Sequence, residues 1–267
     1  MTLQPPATDP VLAPLGAINE ALRAYVATLS DPLGGSLPTN LRDAIAYSLL
    51  SGGKRLRPVL AWHCCEACGS PGIQSLPAGI ALELVHCFSL VHDDLPAMDD
   101  DDLRRGMPTL HIHAGEAMAI LAGDAMLSLA FEVLTQRVPD PKDAVALCAA
   151  LARGTSLMIG GQVYDTLGGF SPDLSEARKV ELVHRCKTAA LIEASCRMGA
   201  VLGKADAPTL AALTRFGQTL GLIFQIVDDL LDVEQSAEVV GKRTGKDAEM
   251  GKLTYPGVWG VQKSRDQ

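Results

Sequence analysis

Apolar residues recur at three- and four-residue intervals along most of this chain, and strict two-residue alternation is absent, so the pattern predicts helices and no strands. Leu15, Ile18, Leu22, Tyr25 and Leu29 share one face of a helix expected over 14–29. Further helices are expected over 38–50, 59–68, 76–91 and 115–136, the last the longest uninterrupted stretch and unusual in carrying Asp124. Asp140-Pro141 is a cap followed by a first-turn proline, opening a helix to Met158 that Gly160-Gly161 should break. Helices over 174–202 and 208–233 complete the set. Residues 1–13 are proline-rich and loose, and glycines and prolines mark loops at 30–37 and 168–172. The expected fold is all-α: one domain over 1–267, a helical bundle around a deep central cavity.

Composition narrows this picture. Hydrophobic residues make up 48% of the 267 but aromatics only 4%, so the core is built of Ala, Leu, Val and Ile on closely packed helices. A net charge of -8 argues against nucleic acid as a partner. No unbroken apolar run reaches the roughly 18 residues of a membrane span. The start, MTLQPPATDP, lacks the basic and apolar regions of a signal peptide, so the expected location is cytoplasmic. Seven cysteines, an odd number mostly in apolar helical context, fit a reducing compartment. His63, Cys64, Cys65 and Cys68 have no matching second half for a zinc site and read as buried helix thiols.

Candidate chemistry lies in two acidic clusters. Asp93, Asp94, Asp99, Asp100, Asp101 and Asp102 fall within ten residues at the end of the apolar helix over 76–91, with Arg104 and Arg105 behind them. Pro96 cannot continue that helix, so Asp99 must fold back if it is to act with Asp93. Crowded carboxylates resist ionisation unless a cation neutralises them, and magnesium carried on a phosphate is the natural partner. Downstream, FQIVDDLLDV (224–233) sets Asp228, Asp229 and Asp232 among apolar residues, with Asp228 and Asp232 one helical turn apart. The two clusters predict two walls of one diphosphate-binding cavity.

Basic segments supply the counterpart. GGKRLRP (52–58) places Lys54, Arg55 and Arg57 between two glycines and a first-turn proline, where amides and guanidinium groups bind anions. It lacks the spacing of a nucleotide-binding phosphate loop. Lys187, amid apolar neighbours, reads equally as a snorkelling side chain or a phosphate ligand. GKRTGKD (241–247) is a second glycine-punctuated basic loop.

In this order GGKRLRP, HDDLPAMDDDDLRRG (92–106), AILAGDAML (119–127), GGQVYD (160–165), Lys187-Thr188, FQIVDDLLD (224–232) and GKRTGKD resemble the trans-isoprenyl diphosphate synthases, most closely the bacterial farnesyl type. The resemblance covers residues 40 to 257 and implies an α-helical homodimer. It implies that Asp93, Asp94, Asp99, Asp228, Asp229 and Asp232 bind three magnesium ions with the allylic diphosphate. Arg104, Lys187, Thr188, Gln225 and Lys246 are then contacts to that diphosphate, with Lys242 a further basic contact. Lys54, Arg57, His86 and Arg105 form the implied isopentenyl diphosphate site. The catalytic set is Asp93, Asp94, Asp99, Arg104, Lys187, Asp228 and Lys246.

Ser89, one turn before Asp93, leaves room for a growing chain, while Phe88 sits about 7.5 Å deeper along the helix. An aromatic there, with two extra residues between the aspartates, looks like the farnesyl type, so Phe88 is expected to stop growth at fifteen carbons. Geranyl or geranylgeranyl synthesis is the alternative. A terpene cyclase would lack GGKRLRP, and a non-catalytic synthase subunit would have eroded aspartates. Family members continue through further helices beyond the position of Gln267.

Overall fold

The computed structural model describes residues 9–29, 37–238 and 253–266, and the fold is all-α. The helices are α1 (Leu15–Thr28), α2 (Thr39–Leu49), α3 (Leu56–Ala67), α4 (Leu76–Asp93), α5 (Leu110–Ala114), α6 (Glu116–Arg137) and α7 (Pro141–Leu167). After these come α8 (Glu176–His184), a π-helical stretch (Arg185–Ala189), α9 (Ala190–Leu202), α10 (Ala207–Glu238), α11 (Tyr255–Trp259) and α12 (Val261–Arg265). Short 3-10 turns cover Pro10–Leu12 and Gly72–Ser75.

The chain divides into two compact units. The first comprises Met1–Ala149 and Met198–Thr209. Its centre is α4, apolar on nearly every side, which is the signature of a helix enclosed by others; Ala78, Ala81, Leu82, Leu84 and Val85 are fully buried. α4 packs against α3 and α6. Glycine sets the approach: a Cβ on Gly123 would lie 2.1 Å from His92 Nε2, and one on Gly199 2.2 Å from the carbonyl of Ala61. The few aromatics therefore cost nothing in packing, because small residues let helix backbones close on one another.

The second unit comprises Ala150–Arg197 and Leu210–Gln267. Leu151, Leu191 and Ile192 are fully buried within it. Val180, Ile226 and Tyr255 form a further cluster, flanked by Leu222, Leu230 and Trp259. Here a Cβ on Gly221 would meet Ala189 Cα at 2.4 Å.

Four readings of the pattern need correction. Gly160-Gly161 does not break α7, which runs on to Leu167; a Cβ on Gly161 would lie 2.2 Å from Lys187 N, so the glycine serves helix contact rather than helix termination. The stretch expected as one helix over 174–202 contains the π-helical turn. A two-stranded hairpin, Leu103–Arg104 with Met107–Pro108, stands where no strand was expected, too short to show alternation. Finally, four helices (Gly72–Asp93, Glu116–Arg137, Pro141–Leu167 and Ala207–Val233) are long and apolar enough, by length and composition, to cross a membrane. Counting unbroken runs misses them because isolated charges such as Glu83 and Asp124 interrupt each run.

Candidate active site

α4 delivers Asp93 and Asp94 at its C-terminus, and the chain then doubles back. The Asp99 N–H donates to the Asp93 carbonyl at 2.8 Å, and that of Asp100, itself at φ 49, donates to the Leu95 carbonyl at 3.2 Å. The return of Asp99 to Asp93 expected from Pro96 is therefore present in the backbone. The two neighbouring aspartates differ in place: Asp93 is half-buried, whereas Asp94 is 3% exposed. Arg104 grips Asp94 through Nη2 and through Nε at 3.0 Å, and lies 3.6 Å from Asp101. Burial nevertheless holds the Asp94 carboxyl above its ordinary range, the attraction of Arg104 opposing it.

The hairpin aims the two arginines differently. Arg105 and Gly106 adopt positive φ at its tip, and Arg105 Nη1 donates to the Gly52 carbonyl. A Cβ on Gly53, which has φ +126, would meet the Arg105 guanidinium at 2.7 Å, so this glycine is required twice over. The aspartate-rich and GGKRLRP segments thus meet through Arg105.

Within GGKRLRP the cations have separate fates. Lys54 is exposed. Arg55, 5% exposed and left-handed at φ 50, pairs with Glu83 at 2.5 Å and donates to the Leu49 carbonyl at 2.8 Å, so it is a structural residue. Arg57 keeps a buried Nε without a hydrogen-bond partner. Burial, with Arg105 nearby, pulls Arg57 below its ordinary range against the pull of Glu83. His86 is driven well below its ordinary value by burial and then by Arg57, Arg105, Arg55 and Arg104, so it is neutral and can donate one N–H to an anion. A recess beside it is lined by His86, Arg104 and Arg105 together with Leu90 and Met107. Ser48, whose buried hydroxyl has no partner, also lines it, and no sequence signal singled that residue out.

Of the two residues expected to govern chain length, Phe88 is 6% exposed and edge-on to His92, with ring centroids 5.8 Å apart. Ser89 is half-buried, and its hydroxyl donates to the His86 carbonyl at 2.9 Å.

In the second unit, Lys187 is not snorkelling: Nζ meets Asp165 Oδ2 at 2.5 Å, and this carboxylate has 9% side-chain exposure. Thr188 Oγ1 donates to Gln225 Oε1 at 2.6 Å, and Gln225 Nε2 donates to Asp229 Oδ1 at 2.9 Å. The π-helical turn carries Lys187 and Thr188, and such turns favour functional positions. Lys187, Gln225, Asp229 and Asp165 line one recess with Leu253 and Thr254. Asp228 and Asp232 are half-buried, whereas Asp229 is 4% exposed and also accepts the Tyr255 N–H at 2.9 Å. Asp165, His184 and Tyr255 were not expected as site residues; only the GGQVYD motif pointed near one of them. Lys242 and Lys246 lie outside the described residues.

All seven cysteines lie among the described residues. Cys64 and Cys65 are buried in α3 as expected, whereas Cys68 is half-buried just past its end; burial pushes Cys65 up to about 11 and raises Cys68, and His63 Nδ1 lies 2.9 Å from Glu66.

Whether these carboxylates suit magnesium can be judged from their chemistry. Every donor is a hard oxygen, which fits. Among the described residues no three acidic, His or Cys groups stand together as a ready cage. That too fits magnesium, which binds one or two carboxylates plus substrate phosphates rather than an all-protein cage. The six aspartates of the resemblance, Asp93, Asp94 and Asp99 in the first unit and Asp228, Asp229 and Asp232 in the second, would supply such oxygens; Asp94 and Asp229 also accept protein donors.

Residues 38–267 match the model of the polyprenyl synthetase family. The chain belongs to that family. It is 44% identical over 263 residues to geranylgeranyl pyrophosphate synthase 7 of Arabidopsis thaliana, a protein named as chloroplastic, covering 97% of this chain and 74% of that one. Among solved structures it is similar to a farnesyl/geranylfarnesyl diphosphate (FPP/GFPP) synthase of Zymomonas mobilis, at TM-score 0.81 and 32% identity over 96% of this chain and 87% of that one. It is also similar to a geranyltransferase of Helicobacter pylori complexed with magnesium and isoprenyl diphosphate, at TM-score 0.77 and 30% identity over 100% and 88%. As a polyprenyl synthetase, the chain is an all-α prenyltransferase of a magnesium-dependent family.

Proposed function

We propose that this polyprenyl synthetase joins an allylic diphosphate head-to-tail to isopentenyl diphosphate and carries the product to geranylgeranyl diphosphate. The observation that carries the reading is the anion-seeking group of the first unit: Arg57 with an unpartnered buried Nε, neutral His86 and Arg105 fixed on the Gly52-Gly53 loop. With Lys54 they receive isopentenyl diphosphate. Arg104, Lys187, Thr188, Gln225, Lys242 and Lys246 receive the allylic diphosphate. The whole chain acts as one synthase domain, since the family match runs through both units.

In the reaction the C–O bond of the allylic diphosphate breaks and the diphosphate departs with the electron pair. The double bond of isopentenyl diphosphate attacks the allylic carbon, a C–C bond forms, and the departed diphosphate accepts the proton that is lost. Magnesium, when bound, supplies Lewis-acid neutralisation of the leaving group, and the reading takes three ions held by aspartates of the two acidic motifs. Arg104 and Lys187 add fixed positive charge where negative charge develops. Arg104 is held in place by Asp94, and Lys187 by Asp165.

The product assignment follows the geranylgeranyl relative. A farnesyl product is the second reading, favoured by Phe88 buried five residues before Asp93. The working form is taken to be a homodimer. The test is to incubate the purified chain with magnesium, dimethylallyl diphosphate and isopentenyl diphosphate, dephosphorylate the product and weigh it. Twenty carbons are expected; fifteen would transfer the assignment to farnesyl, and then Phe88→Ala should lengthen the product. A cyclic hydrocarbon, or no product, would overturn the proposal.

A further inference from the structure

Asp229 has contacts that the proposed reaction does not use. One residue advances a helix by about 100°, so Asp229 is turned by about that much from Asp228 around α10, toward Gln225 one turn earlier. Its carboxylate is 4% exposed, and a buried charge of this kind persists only where donors surround it. Oδ1 accepts Gln225 Nε2 at 2.9 Å; Oδ2 accepts the Tyr255 backbone N–H at 2.9 Å and stands 3.5 Å from His184 Nε2.

Each partner leads to a different element. The Tyr255 ring stacks on His184, with centroids 5.1 Å apart, and on Trp259 at 4.6 Å. It closes the apolar cluster with Val180 and Ile226. Gln225, held from one side by Asp229, presents its carbonyl oxygen to the Thr188 hydroxyl at 2.6 Å. One carboxylate therefore links α10 to α11 and, through one amide, to the π-helical turn. Had Asp229 been turned outward to a cation, the Tyr255 N–H would lose the acceptor it has here, at the first turn of α11.

We infer that Asp229 is a positioning residue rather than a cation ligand: it pins Tyr255–Trp259 to α10 and fixes the Gln225 amide toward Thr188. The inference rests on the proposed function only in taking Gln225 and Thr188 as diphosphate contacts.

The protein holds two tryptophans, so Trp62→Phe leaves Trp259 as the sole indole reporter. In that background Asp229→Ala, Asp229→Asn and Asp228→Ala are compared, without substrate or metal, by Trp259 emission and acrylamide quenching. Far-UV dichroism checks that each variant is folded. Asp229→Ala should shift emission to the red and raise quenching. Asp229→Asn, which keeps one acceptor oxygen, should recover part of the change, and Asp228→Ala should change it less than Asp229→Ala. In the steady state Asp229→Asn should raise KM for the allylic diphosphate while the magnesium concentration at half-activity stays fixed. An unchanged reporter in Asp229→Ala, or an equal change in Asp228→Ala, would overturn the inference. If the parent protein forms no prenyl product, the proposed function fails, while the Trp259 comparison still decides the role of Asp229.

Discussion

At the scale of single residues, the structure separates side chains that the sequence presents alike. Lys54, Arg55 and Arg57 read as one basic cluster, yet Arg55 is paired with Glu83, each side chain 4% exposed. Nothing local marks that pair, because its partner is 28 positions away and the pairing is fixed by how α3 and α4 meet. Removing one member of a buried pair strands the other charge, so Arg55→Met should cost about 3–5 kcal/mol in urea unfolding. Arg55→Met with Glu83→Leu should recover most of that loss. His184 makes a pH prediction: burial holds it at about 4, below its unfolded value of 6.5. The unfolded chain then binds the extra proton first, so stability is full above pH 6.5 and falls as pH drops toward about 4. The loss should reach roughly 3 kcal/mol at the lower end, and His184→Asn should flatten that part of the urea midpoint against pH.

At the scale of elements, periodicity located most helices to within a few residues, since an apolar stripe at helical spacing records the face that packs. Its failures share a cause: each concerns contact with another element. Gly160-Gly161 looks like a stop, but α7 continues because Gly161 admits the backbone of Lys187. The hairpin at 103–108 is held by two strands of two residues each, too few for a period to register. Gly161→Ala tests the first point. Helix propensity alone predicts a gain of roughly 1 kcal/mol, since alanine is the better helix former. The close approach predicts the reverse: lower stability and displacement of Lys187 from Asp165 and of Thr188 from Gln225. Thermal melting and KM for the allylic diphosphate should both move, the first down and the second up. Gly53→Ala should act on the other substrate, raising KM for isopentenyl diphosphate roughly tenfold, about 1.4 kcal/mol, with a smaller change in kcat.

At the scale of the whole molecule, the family and its chemistry were legible because they rest on ordered motifs, while product length was not, because it depends on the shape left between side chains. Phe88 can be named from its spacing to Asp93, but its position in sequence does not give the depth available to a chain. What the motifs do predict is a ligand in which cation and anion depend on each other. Magnesium alone finds no ready cage among the described residues, and diphosphate alone meets carboxylates as well as cations. Pyrophosphate and magnesium together should therefore raise the melting temperature where neither does so alone. At a hundred times the dissociation constant the gain is about 2.7 kcal/mol, roughly 5–10 °C for a chain of this size. Asp93→Asn and Asp228→Asn should each remove most of that rise. Differential scanning fluorimetry with chelator, magnesium, pyrophosphate and both would show it. An equal rise with pyrophosphate in the presence of chelator would mean that the arginines and lysines bind the anion unaided, and the carboxylates would then need another role.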